Sequence, residues 1–125
     1  MVSMSSFFKQ NTEISGWGLF PALKANVYEP TKQDEITSVL KEHGAIIARG
    51  MGRSYGDSAL QKNIISLRQF HQIEEIDTQN DTVWVDAGIS FDELLSRIVP
   101  QGYFLPVVPG TKFVTIGGAI GCDIH

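Results

Sequence analysis

The amino-acid sequence predicts an α+β fold, a small β-α-β lobe followed by the start of a second, mainly β lobe. Three observations predict it. Ile36, Val39 and Leu40 recur at helical spacing between two runs that read as strands, Ala22–Glu29 and Ala45–Arg49. Farther on, Val83 and Val85 alternate with Trp84 and Asp86, the period of two expected of a half-buried strand. No segment repeats and no linker composition interrupts the chain, so the elements belong to one continuous piece.

Taken in order, residues 1–19 read as an irregular, polar lead-in carrying Gly16-Trp17-Gly18, with Trp17 expected to pack a loop onto the core. Residues 20–125 form the body. Pro21 and Pro30 punctuate the extended segment Ala22–Glu29. Thr31 is placed to cap a helix, with Asp34 in its first turn complementing the dipole, and Gly44 to end it in a left-handed turn. Ala45–Arg49 is apolar enough for a buried strand, and Asn63–Leu67 reads as another. Gln72–Asp77 and Thr82–Ala87 flank the polar turn Thr78–Asp81 as a hairpin. Ser90-Phe91-Asp92-Glu93 is a capping box for a second helix with Leu94, Leu95 and Ile98 inside, ended by Pro100 and Gly102. Pro106 makes Tyr103–Val108 an extended edge or loop, and Pro109-Gly110 a turn. Thr115 caps a small-residue element, Ile116–Gly121. The sequence stops at His125 soon after, and is expected to be the front end of a longer protein.

Composition narrows the function classes. The 125 residues carry 10 Lys+Arg against 14 Asp+Glu, a net charge of −4 that argues against generic nucleic-acid binding. No apolar run is long enough to span a bilayer, so an integral membrane protein is not expected. The opening residues lack the basic and apolar regions of a secretory signal, which favours the cytoplasm. The lone Cys122 excludes an intrachain disulfide framework. Cys122, Asp123 and His125 are metal ligands by type, but a Cys-x-x-His pair is half a site, and no metal is expected. His43 and His71 read as solvated.

Glycine is more informative. Seven of the 12 glycines fall in two clusters, Gly50, Gly52 and Gly56, then Gly110, Gly117, Gly118 and Gly121. The first cluster follows a strand, but it has one residue too many for a dinucleotide fingerprint, and the helix that fingerprint needs has no room before Asn63. No Gly-Lys-Ser/Thr triplet makes it a P-loop. Two readings stand. Its amides converge on an anion as a nest, with Arg53 supplying charge and Ser54 a hydroxyl, or it is a tight surface turn in which Arg53 pairs with a carboxylate. Two readings also stand for Gly117-Gly118: backbone open to a flat ring, or close helix packing against a neighbouring sheet.

Together the motifs carry a resemblance. SGWG (Ser15–Gly18), ARGMGRSYGD (Ala48–Asp57), VDAGISFDELL (Val85–Leu95) and PVVPGTKFVTIGGAIGCDIH (Pro106–His125) are similar to the N-terminal part of the FAD-linked oxidoreductases with a p-cresol-methylhydroxylase (PCMH) or vanillyl-alcohol-oxidase type of FAD-binding domain. The resemblance implies a pyrophosphate-binding loop over Ala48, Arg49, Gly50, Met51, Gly52, Arg53, Ser54, Tyr55, Gly56, Asp57 and Ser58. It implies flavin contacts at Gly110, Thr115, Ile116, Gly117 and Gly118. Cys122, Asp123, Ile124 and His125 then pass the isoalloxazine ring, with His125 near the reacting edge. Arg53 stands where members that attach FAD covalently commonly carry histidine, so non-covalent FAD is expected. The implied activity is oxidation of a sugar alcohol, a polyprenyl-phosphate ribose type of substrate, with the substrate domain and C-terminal segment outside these residues and the segment alone inactive. Alternatives are an alditol or aldonolactone oxidase, or a non-catalytic nucleotide-binding module. The implied partners are a small-molecule or lipid-linked sugar and a reductase subunit, at a location peripheral to the membrane.

Overall fold

The computed structural model describes residues 6–125, which fall into two compact units dividing after Gln69. The first unit is a four-stranded mixed sheet with one helix: β1 (Phe8–Ser15), β2 (Ala22–Tyr28), α1 (Gln33–Glu42), β3 (Ile47–Arg49) and β4 (Asn63–Ser66). The strand order is β1-β2-β4-β3, with β1 antiparallel to β2 and β4 parallel to both β2 and β3. Ile64 and Ile65 are both buried and project to opposite faces. Ile64 meets Ile14, Ala25 and Val27, whereas Ile65 meets Phe7, Tyr28 and Val39 of α1. Two covered faces explain why β4 is apolar without alternation.

The structure corrects the lead-in. Residues 8–15 are a sheet strand, not irregular chain, while residues 1–5 lie outside the described residues. The register of β1 slips between Lys9 and Thr12, where Asn11 takes a φ of 52°. That bulge puts an extra residue into the strand and breaks the alternation by which strands are read. The β3 run is also shorter than expected and is not buried: Ile47 and Arg49 are half-buried and Ala48 exposed, because β3 forms the sheet edge.

Helix α1 has Lys32 rather than Thr31 at its N-cap, and the acid that closes its first turn is Glu35 rather than Asp34. Glu35 Oε2 accepts from Thr31 N at 2.7 Å, Thr31 Oγ1 at 3.3 Å and Lys32 N at 3.2 Å. The Thr31 amide, foremost among these donors, holds the Glu35 carboxyl below its ordinary pKa. At the other end the cap is His43 at φ −120°, and Gly44 is not left-handed as expected. His43 is half-buried rather than solvated, its ring centroid 4.9 Å from that of Tyr28.

The second unit contains α2 (Phe91–Ile98), a 3-10 turn (Val99–Gln101) and α3 (Ile116–Gly121). The expected hairpin is present as two isolated bridges, Ile73↔Val85 and Asp77↔Thr82, rather than as regular strands. Its turn is closed by the Asp77 carboxylate, which accepts from Gln79 N at 2.9 Å, Asn80 N at 3.2 Å and Asn80 Nδ2 at 2.7 Å. Helix α2 begins as its sequence dictates. Ser90 Oγ accepts from Glu93 N at 3.2 Å, and Glu93 Oε2 accepts from Ser90 N at 2.7 Å. Ile89, Leu94 and Ile98 form the buried centre, against which Ile73, Val83, Val85 and Leu105 pack. Gly102, at φ 86°, ends the helical run. No helix among the described residues is long and apolar enough to cross a membrane.

Candidate functional site

The first glycine cluster hangs from the end of β3. Gly52 and Gly56 take φ values of 66° and 56°, the left-handed region that side chains rarely adopt. Arg53, Tyr55, Asp57 and Ser58 face solvent, while Gly50, Met51 and Ser54 are half-buried. Ser58 Oγ donates to Tyr55 O at 2.9 Å, and Leu60 N to Asp57 O at 2.9 Å, turning the chain towards β4. Arg49 is a cation built into the bend. Its Nη2 donates to Ser15 O at 2.8 Å, and its guanidinium lies so close over Gly52 that a Cβ there would collide with Nη2 and Cζ. Arg49 Nη1 is buried and finds no hydrogen-bond partner among the described residues. Burial lowers the Arg49 pKa from its ordinary value, although guanidinium stays charged.

The residues before Pro21 hold this loop, a role that sequence reading missed. Trp17 N donates to Ser54 O at 2.9 Å, and a Cβ on Gly16 would stand 2.5 Å from Ser54 O and 2.8 Å from Gly56 O. Trp17 is 61% exposed and its ring meets that of Tyr55 edge-on at 5.8 Å, so its amide rather than its indole ties the segment down. The available signal was the SGWG motif itself.

The second cluster lies in the other unit. Thr115 is buried and its Oγ1 accepts from Gly118 N at 3.1 Å, starting α3 as expected. Ser90 and Thr115 bridge, so α2 and α3 begin side by side. Gly117 N donates to Ala87 O at 2.8 Å, and a Cβ on Gly117 would stand 3.0 Å from that oxygen. A Cβ on Gly118 would stand 3.0 Å from Thr115 Oγ1. Gly110 and Cys122 are exposed. Ile116, Asp123 and Ile124 line a hollow of about 400 Å³ together with Phe91, Leu105 and Pro106, which the sequence had not marked. His125 is exposed, with Nδ1 2.7 Å from Asp123 O. A carbonyl only accepts, so Nδ1 is the donor in this contact, and in the neutral ring Nε2 is the acceptor.

Comparison with known proteins decides the family. A family described as FAD binding domain matches residues 25–125. The chain belongs to that family. Decaprenylphosphoryl-beta-D-ribose oxidase of Mycolicibacterium smegmatis is 40% identical over 99% of this chain, which spans 28% of the relative. L-gulonolactone oxidase of Scyliorhinus torazame is 24% identical over 90% of the chain and 27% of its own length. Among solved structures, a cholesterol oxidase from B. sterolicum superposes with a TM-score of 0.80 at 18% identity, over 94% of this chain and 24% of that one. The resemblance read from the motifs is borne out, as are the α+β class and FAD as the cofactor of the family. The chain spans little more than a quarter of the curated relatives it matches.

The first loop suits the diphosphate of FAD on its own geometry. A guanidinium nitrogen removed from water and left without an acceptor costs about 1–3 kcal/mol, and an anion there removes that penalty. At the same bend, left-handed Gly52 and Gly56 supply the backbone conformation from which nests of main-chain amides are built. Among the described residues no group of three or more His, Cys, Asp or Glu gathers as a metal site.

Proposed function

We propose that this chain is the FAD-binding part of an oxidoreductase that oxidises a secondary hydroxyl of a polyprenyl-phosphate ribose type of sugar. The observation that carries the cofactor half is the buried, unpartnered Nη1 of Arg49 beside Gly52. The 40% identity to decaprenylphosphoryl-beta-D-ribose oxidase supports the substrate half.

In this reading Arg49 and Arg53 neutralise the diphosphate, the former from inside the bend and the latter from its exposed rim, while Gly50–Ser58 supply amides and the Ser54 hydroxyl. Gly110 and Thr115–Gly118 take the flavin side, and Cys122–Ile124 lead past it. Bound FAD supplies hydride acceptance from the alcohol carbon. His125 receives the alcohol proton at Nε2, because its Nδ1–H is committed to the Asp123 carbonyl. Arg53 leaves no histidine in the loop for covalent attachment, so the cofactor dissociates on denaturation. The protein works in the cytoplasm against the membrane face where a lipid-linked sugar is reached, and a reductase subunit takes the ketone onward. The likeness to L-gulonolactone oxidase favours a second reading, an aldonolactone or alditol oxidase.

The test is to purify the full-length protein, record its visible spectrum, release the flavin by acid, and assay a polyprenyl-phosphate ribose and an aldonolactone with a dye acceptor. Released FAD with turnover of the ribose is expected, and none from the 125-residue segment alone. A colourless protein overturns the proposal, and turnover of the lactone alone moves it to the second reading.

A further inference from the structure

We infer that Ser15–Trp17 is a clamp on the glycine loop, and that Gly16 and Arg49 are positioning residues whose contacts with it orient the loop amides towards a diphosphate. The inference rests on the FAD reading above. In a trans peptide the C=O and the following N–H point in opposite directions. Trp17 N takes the Ser54 carbonyl, and the Gly16 Cα side faces the Ser54 and Gly56 carbonyls together. Holding those two oxygens on the clamp side turns the N–H groups of Tyr55 and Asp57 to the opposite side. Gly56, at φ 56°, lets the chain make that turn between them. Arg49 completes the arrangement, because one nitrogen ties Ser15 O to the bend while the other stays buried and unpartnered. Only glycine fits at position 16, since a Cβ 2.5 Å from a main-chain oxygen must push the clamp off the loop.

If the clamp favours binding of the diphosphate, binding must favour the clamp by the same factor. The experiment is hydrogen exchange at the Trp17 amide in the full-length protein with and without FAD, paired with FAD titration of Gly16→Ala. FAD is expected to slow Trp17 exchange at least about tenfold, and Gly16→Ala to raise the FAD Kd at least about tenfold. Gly44→Ala, at a glycine with open space around it, serves as the control and is expected to bind as the wild type does. FAD bound with Trp17 exchange unchanged, or Gly16→Ala binding as tightly as wild type, overturns the clamp alone. A wild-type protein that takes up no FAD overturns the cofactor reading and the clamp with it. Should Gly16→Ala fail to fold, the wild-type exchange measurement decides.

Discussion

The two glycine clusters look alike in sequence and are required for different reasons. In the first, Gly52 and Gly56 occupy left-handed backbone, and Gly16, far off in sequence, makes room for the loop's carbonyls. In the second, neither Gly117 nor Gly118 has a positive φ, and each is small because a neighbour crowds it: Ala87 O for one, Thr115 Oγ1 for the other. The first cluster also holds a half-buried guanidinium whose buried Nη1 has no acceptor among the described residues. A glycine that serves packing leaves nothing unsatisfied, whereas the first loop is built with an unmet electrostatic demand. That difference separates a loop with a buried donor left unpaired from one shaped by its own helix start.

Substitution by alanine breaks the comparison most directly. Gly52→Ala forces a side chain into the left-handed region, at about 1–2 kcal/mol. It also displaces Arg49 from Ser15 O, a bond to a charged donor worth about 1.5–3 kcal/mol. Gly117→Ala gains about 1 kcal/mol of helix propensity, which offsets much of the roughly 1–3 kcal/mol of overpacking against Ala87. Denaturant unfolding should therefore show a large loss for Gly52→Ala and a small one for Gly117→Ala. Equal losses would mean that both clusters are packing devices.

Acid sharpens the contrast between the units through their turns. Glu35 in the first unit is held below its ordinary pKa chiefly by the Thr31 amide, and Asp77 in the second chiefly by the Asn80 side chain. A carboxyl depressed in the folded state contributes stability that is complete above its unfolded pKa, about 4.3 for Glu and 3.9 for Asp, and is lost as pH falls through the folded value. The unfolding midpoint should thus drop as pH goes below about 4. Glu35→Gln should be less stable at neutral pH and should flatten that acid limb, as should Asp77→Asn. An acid limb unchanged in both variants would show that these first-turn and hairpin-turn bonds do not control the response.

What sequence reading reached, and what it did not, follows from range. Ser90 and Glu93 lie three residues apart, so the start of α2 is written locally, and Thr115 with Gly118 likewise. Strand β1 was lost because the bulge at Asn11 breaks the period of two. The edge position of β3 depends on β4 inserting beside β2, which local residues do not encode. In the loop, Arg53 sits among glycines and reads as the fixed charge. Yet Arg49, at the end of β3, is the guanidinium that folds back over Gly52 and buries its Nη1. Which of two neighbouring arginines turns inward is a matter of strand direction and of what Ser15 offers, and both are set by contacts distant in sequence.

The smallest expected effect concerns Gly44, where the sequence pattern and the structure give opposite signs. A glycine ending α1 in the left-handed region would lose about 1–2 kcal/mol on substitution by alanine. In the structure the helix is capped by His43 at φ −120°, Gly44 has no positive φ, and a Cβ there meets nothing within 4 Å. Alanine then acts mainly on the unfolded chain, reducing its freedom and stabilising the protein by about 0.4–1 kcal/mol. Urea unfolding of Gly44→Ala against wild type reads the sign directly. A stabilised variant means that among these glycines only those with a left-handed φ or a crowding neighbour are required, and a destabilised one would return Gly44 to that group.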